Sequence, residues 1–307
     1  MLSELPQWQV FRTAWRRLMF PCPVSVIISD RAMFCCWRRA GHSWFRSVLW
    51  PEGACRDGFP QQSDAISECL ADLLLDLDLP GAELMLTLPP AAASWCVLDG
   101  LSADPRAGMD VIREALGTSD VPFNLDQSYL ATTYLQDSVA VAGLPRLSLR
   151  AWVDVVESAD LSLRRIGWSI LDAQRTLIRK TQDWAGDLAW LVCERGMSRL
   201  ILMRDQVPEV DHRLTSTEPV DCCVEARACL QAWQMSLGEP RPLGWWLTLE
   251  DTSLSDWSCL VDAELGERLL NQALASSPEP WSDSEELDAL PPLAHLALMS
   301  LYEEASW

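Results

Sequence analysis

Val24-Ser25-Val26-Ile27-Ile28-Ser29-Asp30-Arg31-Ala32-Met33-Phe34-Cys35-Cys36-Trp37 reads as an apolar strand, a tight polar turn and a second apolar strand. The same grammar returns at Leu188-Ala189-Trp190-Leu191-Val192-Cys193-Glu194-Arg195-Gly196-Met197-Ser198-Arg199-Leu200-Ile201-Leu202-Met203. One hairpin type in each half of the chain implies two related lobes. Both turns are polar, so a cleft between the lobes would be lined at two corresponding points.

The segments between the hairpins extend this pattern. Asp64 is placed to cap a helix whose Ile66, Cys69, Leu70, Leu73, Leu74 and Leu77 share a face, with Glu68, Asp72 and Asp76 on the other. Glu83 to Leu88 is a strand stopped by Pro89-Pro90, which with the first hairpin makes a mixed sheet crossed by a helix. A further helix is predicted from Asp104-Pro105 to Gly117. Tyr129 to Leu135 and Ser138 to Val141 read as strands, and Leu149 to Val156 as an amphipathic helix with Trp152, Val155 and Val156 inward. In the second half, Cys222 to Trp233 is helical, Leu243 to Leu249 is an apolar strand, and a closing helix runs from Leu293 to Ala305. The N-terminal stretch from Trp8 to Phe20 spaces Trp8, Phe11, Trp15, Leu18 and Met19 along one helical face with Arg12, Arg16 and Arg17 between them. Such a helix either packs on its own lobe or lies on an anionic membrane.

Composition excludes several classes. The 307 residues carry a formal charge of −20, which opposes general nucleic-acid binding. The acids are concentrated after Glu250, whereas Arg12, Arg16, Arg17, Arg31, Arg38, Arg39 and Arg46 make the first fifty residues the positive end. No apolar run reaches the roughly 20 residues that span a bilayer, and the start lacks the features of a signal peptide, so the expectation is a cytoplasmic chain. The eleven cysteines form no Cys-x-x-Cys pair and are expected as reduced, buried thiols. His42, His212 and His295 are far apart, which gives no metal or nucleophile motif. The chain's only lysine, Lys180, follows Arg179 and no glycine-rich run, so a P-loop NTPase is the poorer alternative.

The order of elements and several phrases resemble the PilM family of type IV pilus assembly proteins, which is related to the cytoplasmic domain of the type II secretion GspL proteins and to FtsA. The carriers are the loop from Pro51 to Gly58, Leu84-Met85-Leu86-Thr87-Leu88-Pro89, Val121-Pro122-Phe123, Arg164-Arg165-Ile166, the hairpin at 188, the helix at 222, Leu243-Gly244, and Pro291-Pro292-Leu293-Ala294-His295-Leu296-Ala297-Leu298. They run collinearly over nearly the whole chain. The resemblance implies a two-lobed actin-like (ribonuclease-H-like) α/β fold with a small inserted α+β subdomain. It divides the chain into a first lobe at 1–121, an insert at 122–158, a connecting segment and helix at 159–187, and a second lobe with the closing helix at 188–307.

In active members of that family the first hairpin resembles Gly-Ile-Asp-Ile-Gly-Ser, where the acid organises a metal-bound water and glycine admits backbone amides to phosphate. Here Ile27-Ile28-Ser29-Asp30-Arg31 has no glycine and no acid in the strand. At the second turn Cys193-Glu194-Arg195-Gly196 stands for Asp-Ile-Gly, and Leu243-Gly244-Trp245-Trp246 for the glycine pair against adenosine, with the indoles expected to fill the pocket. Ser29, Asp30, Glu194, Gly196, Ser198 and Gly244 are thus the positions of a degenerate nucleotide site. The implied function is a non-catalytic scaffold that binds no cofactor. It would be held at the inner membrane through the cytoplasmic tail of a PilN-like protein, with a further contact to the assembly motor. An active ATPase using ATP with Mg is the other reading that the resemblance leaves open.

Overall fold

The computed structural model describes residues 22–39, 42–79, 82–99, 108–135, 138–194, 197–236, 241–250, 254–273 and 290–304. The helix read at 8–20 and Pro105 lie outside them.

Strand β1 (Pro23–Ile28) is apolar on both faces, as a strand buried on both sides must be, and takes the centre of a five-stranded sheet. It pairs antiparallel with β2 (Ala32–Arg39), which pairs with β3 (His42–Leu49), and parallel with β6 (Glu83–Leu88). A short hairpin, β4 (Cys55–Arg56) with β5 (Phe59–Pro60), precedes helix α1 (Ser63–Asp76). Ile66, Leu70, Leu73 and Leu74 of α1 are buried against this sheet. The helix begins two residues earlier than Asp64 would set as a cap: Gln62 is the N-cap, without a side-chain bond. Asp64 stands in the first turn, where its charge suits the helix dipole.

The insert begins earlier than the sequence divisions place it. Strand β7 (Ser94–Asp99) pairs with β9 (Ser138–Pro145), which pairs with β8 (Ser128–Leu135). Helix α2 (Met109–Thr118) covers this sheet through Ile112 and Leu116, packed on Leu98, Val139 and Val141. Helix α3 (Arg146–Ser158) belongs to the first lobe, because Trp152, Val155 and Val156 are buried with Leu70 and Leu74 of α1. The boundaries 122–158 are therefore corrected to 94–145.

Residues 159–187 are also more than a connector. Strand β10 (Ser162–Trp168) lies parallel to β6 and completes the first sheet in the order β3-β2-β1-β6-β10. Helix α4 (Ser169–Lys180) then leads to the second lobe, whose strands β11 (Asp187–Glu194), β12 (Met197–Arg204), β13 (Val207–Leu214), β14 (Leu243–Leu249) and β15 (Arg268–Leu269) repeat the same order, β13-β12-β11-β14-β15. The pairings match too: first with second antiparallel, first with fourth parallel. Helix α5 (Pro219–Ser236) covers this sheet through Cys222, Ala226 and Leu230. A short helix α6 (Leu270–Ala273) precedes the closing helix α7 (Pro292–Glu304).

Helices α4 and α7 pack on each other between the lobes. One apolar core runs through them: Ile27 of the first sheet, Ala173 and Leu177 of α4, Ala297 of α7, and Trp190 and Met203 of the second sheet. The expectation that all cysteines are unpaired thiols is corrected at one place. Cys223 of α5 and Cys259, in the 3-10 segment Leu254–Leu260, form a disulfide with Cα atoms 6.7 Å apart. The other nine cysteines are not in a disulfide. Burial drives the Cys35 thiol far up, and that of Cys36 to about 12, so neither is a nucleophile at neutral pH. Among the described residues, no helix is long and apolar enough to cross a membrane.

Candidate functional site

In sheets of this kind ligands bind outside the carboxyl ends of the parallel strands. Those ends are Ser29 after β1, Pro89 after β6, Ser169 after β10, Glu194 of β11 and Glu250 after β14.

At the first turn Ser29 closes its own loop. Its Oγ accepts from the Ala32 amide at 3.0 Å, and its amide donates to the Ala32 carbonyl at 2.9 Å. Asp30 faces the β4–β5 hairpin: its two carboxylate oxygens accept the amides of Asp57 at 2.9 Å and Gly58 at 3.0 Å, and the Cys55 thiol lies 3.8 Å away. Asp57 and Gly58 both have positive φ, which turns their amides toward one acceptor. The loop at 51–58 thus hangs on Asp30. Gly58 is required for a second reason, since a Cβ there would stand 2.8 Å from Pro89 Cγ. Its carbonyl accepts the Trp152 indole N–H at 2.8 Å.

At the end of β10 an acid that the sequence reading passed over takes the central place. Asp172, in the first turn of α4, is completely buried. Its carboxylate accepts Arg165 at 2.5 Å, the Thr87 hydroxyl at 3.0 Å and Arg175 at 3.4 Å. Burial lifts its pKa against the pull of Arg165. Gly167 is compatible with this because a Cβ would meet Asp172 Oδ2 at 2.6 Å. Asp172 ties β6, β10 and α4 together.

The second-lobe positions scatter. Glu194 ends β11 beside Glu250, whose amide bonds the Cys193 carbonyl at 2.8 Å. Burial, and then the charge of Glu250, push the Glu194 carboxyl up to about 8. Ser198 points into the second-lobe core, buried beside the thiols of Cys193 and Cys222. Gly244 is at the amino end of β14, the wrong end for a ligand, packed against Trp184 and Leu270. Trp245 donates to Glu267 at 3.0 Å inside the lobe, and Trp246 faces the core between the lobes. Gly196 lies outside the described residues. The five described positions therefore do not share one set of partners: Asp30 holds the β4–β5 hairpin, Ser198 is in the second-lobe core and Gly244 is at the opposite end of its strand.

Glu194 supplies a pH test. A carboxyl that titrates near 8 when folded and near 4.5 when unfolded keeps a proton that the unfolded chain has lost, so stability falls as pH rises between those values. The effect is at most about 1.4 kcal/mol for each pH unit in that window. Glu194→Gln is expected to flatten the decline. Its melting temperature should exceed wild type more at pH 8 than at pH 5, and an equal difference at both would refute the assignment.

Between α4, β14 and α7 lies a cavity of about 150 Å³ lined by Lys180, Trp246, Thr248, Asn271 and His295. Small-molecule pockets start at roughly 300 Å³. Across the facing inner surfaces the lobes touch directly. Arg199 of β12 holds Asp211 of β13 through two bonds of 2.6 and 2.7 Å, and its guanidinium sits 5.3 Å over the ring of Trp168. Trp95 of the insert packs edge-on against Trp168 and donates its indole N–H to Asp211. Among the described residues, no three His, Cys, Asp or Glu side chains are grouped to hold a metal.

Among solved structures the chain is similar over 92% of its own length, and 98% of the other chain, to one from the PilM–PilN type IV pilus biogenesis complex, with a TM-score of 0.67 and 16% identity. The fold is PilM-like. A protein of unknown function with an actin-like ATPase fold, from Bacteroides thetaiotaomicron, matches over 82% of this chain and 91% of its own, with a TM-score of 0.51 and 8% identity. No family model and no curated protein matches the chain. The resemblance read from the collinear phrases and the actin-like fold it implied both hold. The doubled strand order is the physical content of that PilM-like fold: two ribonuclease-H-like sheets joined through α4 and α7.

Proposed function

We propose that this chain is a non-catalytic component of a type IV pilus or related secretion assembly, acting as a docking platform for the cytoplasmic tail of a PilN-like membrane protein. The observation that carries the reading is the near-complete match in fold to a chain of the PilM–PilN complex. The state of the first phosphate turn supports the absence of catalysis. Asp30 holds the β4–β5 hairpin with both oxygens, and Ser29 closes its own turn. A fold of this kind keeps its shape when the chemistry is lost.

The docking place is the side of the insert next to α3. Strand β8 is an edge strand, paired only with β9 among the described residues, so its outer N–H and C=O groups suit an added strand. Tyr129 of β8 is 42% exposed, Arg146 lies over its ring, and Leu147 at the start of α3 is exposed. An extended apolar tail would find main-chain partners along β8 and side-chain contacts at this lip. The motor contact that the resemblance implies, and placement at the inner membrane, follow from the same reading.

The melting temperature should not move with Mg-ATP, whereas a ligand at 100 times its dissociation constant would add about 2.7 kcal/mol. Pull-down from solubilised membranes should recover a protein with a short cytoplasmic tail, and a peptide of that tail should bind the full chain. Replacing 94–145 by a short linker should leave the lobes folded and abolish that binding. A shift with Mg-ATP that disappears in Glu194→Gln would favour the ATPase reading.

A further inference from the structure

Asp211 is on the polar edge strand of the second lobe, yet its carboxylate binds one group of its own lobe, Arg199, and one of the insert, Trp95, and both of these pack on Trp168 of the first lobe. Arg199 of its own lobe donates two bonds to it; position 211 as a whole is exposed on its edge strand, but the paired side chains are only 13% exposed for Arg199 and 18% for Asp211. Trp95 of the insert donates to Oδ2, the same oxygen that Arg199 Nη2 binds. Trp168, the last residue of β10 in the first lobe, packs on both the Trp95 ring and the Arg199 guanidinium, and its own indole N–H is fixed on the Pro90 carbonyl at 3.2 Å. Trp95 is 4% exposed, so its donor has no water to fall back on if Asp211 moves away. A charged acceptor makes such a bond roughly twice as strong as a neutral one.

We propose that Asp211 is a positioning residue for tail docking: it latches the inserted sheet to the second lobe. Trp95 is in β7, which pairs with β9, which pairs with β8, so displacement of the latch is transmitted across one continuous three-stranded sheet to the edge offered to the tail. The lip formed by Tyr129 and Leu147 keeps its geometry while the lobes are in contact, and loses it when they part. By linkage the converse holds, and a tail bound at β8 strengthens the contact between insert and second lobe, which the tail itself does not touch. The docking consequence rests on the proposed function above; the latch itself does not.

The test uses the full chain. Trp95→Phe keeps an aromatic ring and removes the donated N–H. Asp211→Asn keeps an acceptor for Trp95 and removes the charge opposite Arg199. Amide hydrogen exchange without any ligand should accelerate at least tenfold in 207–214 as well as in 94–99 for Trp95→Phe, and Asp211→Asn carries the same readout if the first variant does not fold. Acceleration confined to 94–99 overturns the latch. With the synthetic peptide of the recovered tail, wild type should gain protection at 207–214 on binding, and Trp95→Phe should lose that gain and bind at least tenfold more weakly. Binding within twofold of wild type, with 207–214 released, overturns the coupling. A wild-type chain that binds no tail refutes the proposed function instead, and the exchange measurement still decides the latch.

Discussion

Trp152→Ala is expected to lower the unfolding free energy by about 3–5 kcal/mol, as truncation of a buried aromatic does. Trp152 is 1% exposed and fills the space between α3, α1 and the β4–β5 hairpin. Two losses add. The cavity left beside Leu70 and Leu74 lies in the centre of the first-lobe core, and the Gly58 carbonyl loses the indole N–H it accepts at 2.8 Å. Gly58 cannot easily shift to recover a partner, because its amide is bound by Asp30 and the space beside it, where a Cβ would point, is filled by Pro89 and Ala92. Trp152→Phe separates the two losses: most of the ring stays, and the smaller remaining cost should appear locally as faster hydrogen exchange at 55–60. Urea unfolding of both variants checks the ranking. A loss under about 1 kcal/mol for the alanine variant would mean that α3 is not part of the first-lobe core.

Asp172→Ala should be comparably severe, about 3–5 kcal/mol, for a different reason. Removing one member of a buried ion pair leaves the charge of the other without its compensation. Asp172 accepts Arg165, Arg175 and Thr87, so the substitution leaves three donors from β10, α4 and β6 facing a hole. Asp172→Asn should cost less, because the amide oxygen still accepts from Thr87 and the shape is kept. The pair of variants distinguishes charge from packing: if alanine and asparagine are equally destabilising, the charge is what matters. Neither change should alter nucleotide binding if the reading of a non-catalytic cleft is correct.

The two hairpins and their flanking helices were legible because buried strands such as β1 and β11 are apolar on both faces and cannot be mistaken for loops. The strands that the sequence concealed are at sheet edges. In β10, Arg164 and Arg165 interrupt the apolar pattern, and in β13 Glu209, Asp211 and Arg213 alternate with half-buried residues. Edge strands carry charge to prevent further pairing, and that same charge reads as a loop. The insert's boundary was missed for a related reason: β7 pairs with β9 across the whole subdomain, and no local signal marks a partner that far along the chain. The candidate site suffered most. Asp30 was correctly placed in a turn, but its bonds reach residues 27 and 28 positions away, and the Cys223–Cys259 pair spans 36. Asp172 looked like one more acid in an acidic chain. Only the fold shows that it is the acid facing Arg165.

The position of the insert between β6 and β10 also sets a sequence of events during synthesis on the ribosome. Strand β10 is the fifth member of the first sheet, and it is translated only after the whole insert. While it is still absent, β6 presents an open edge that will later be covered, and the insert, whose three strands and α2 are consecutive, can close by local contacts. The first lobe therefore finishes after its own insertion, not before it. Helix α4 emerges next, but the face that α7 covers stays bare until the C-terminal residues are made, so nascent chains are expected to carry their exposed apolar surface at the junction of the lobes. A chaperone that shields this chain during translation would be expected to act there.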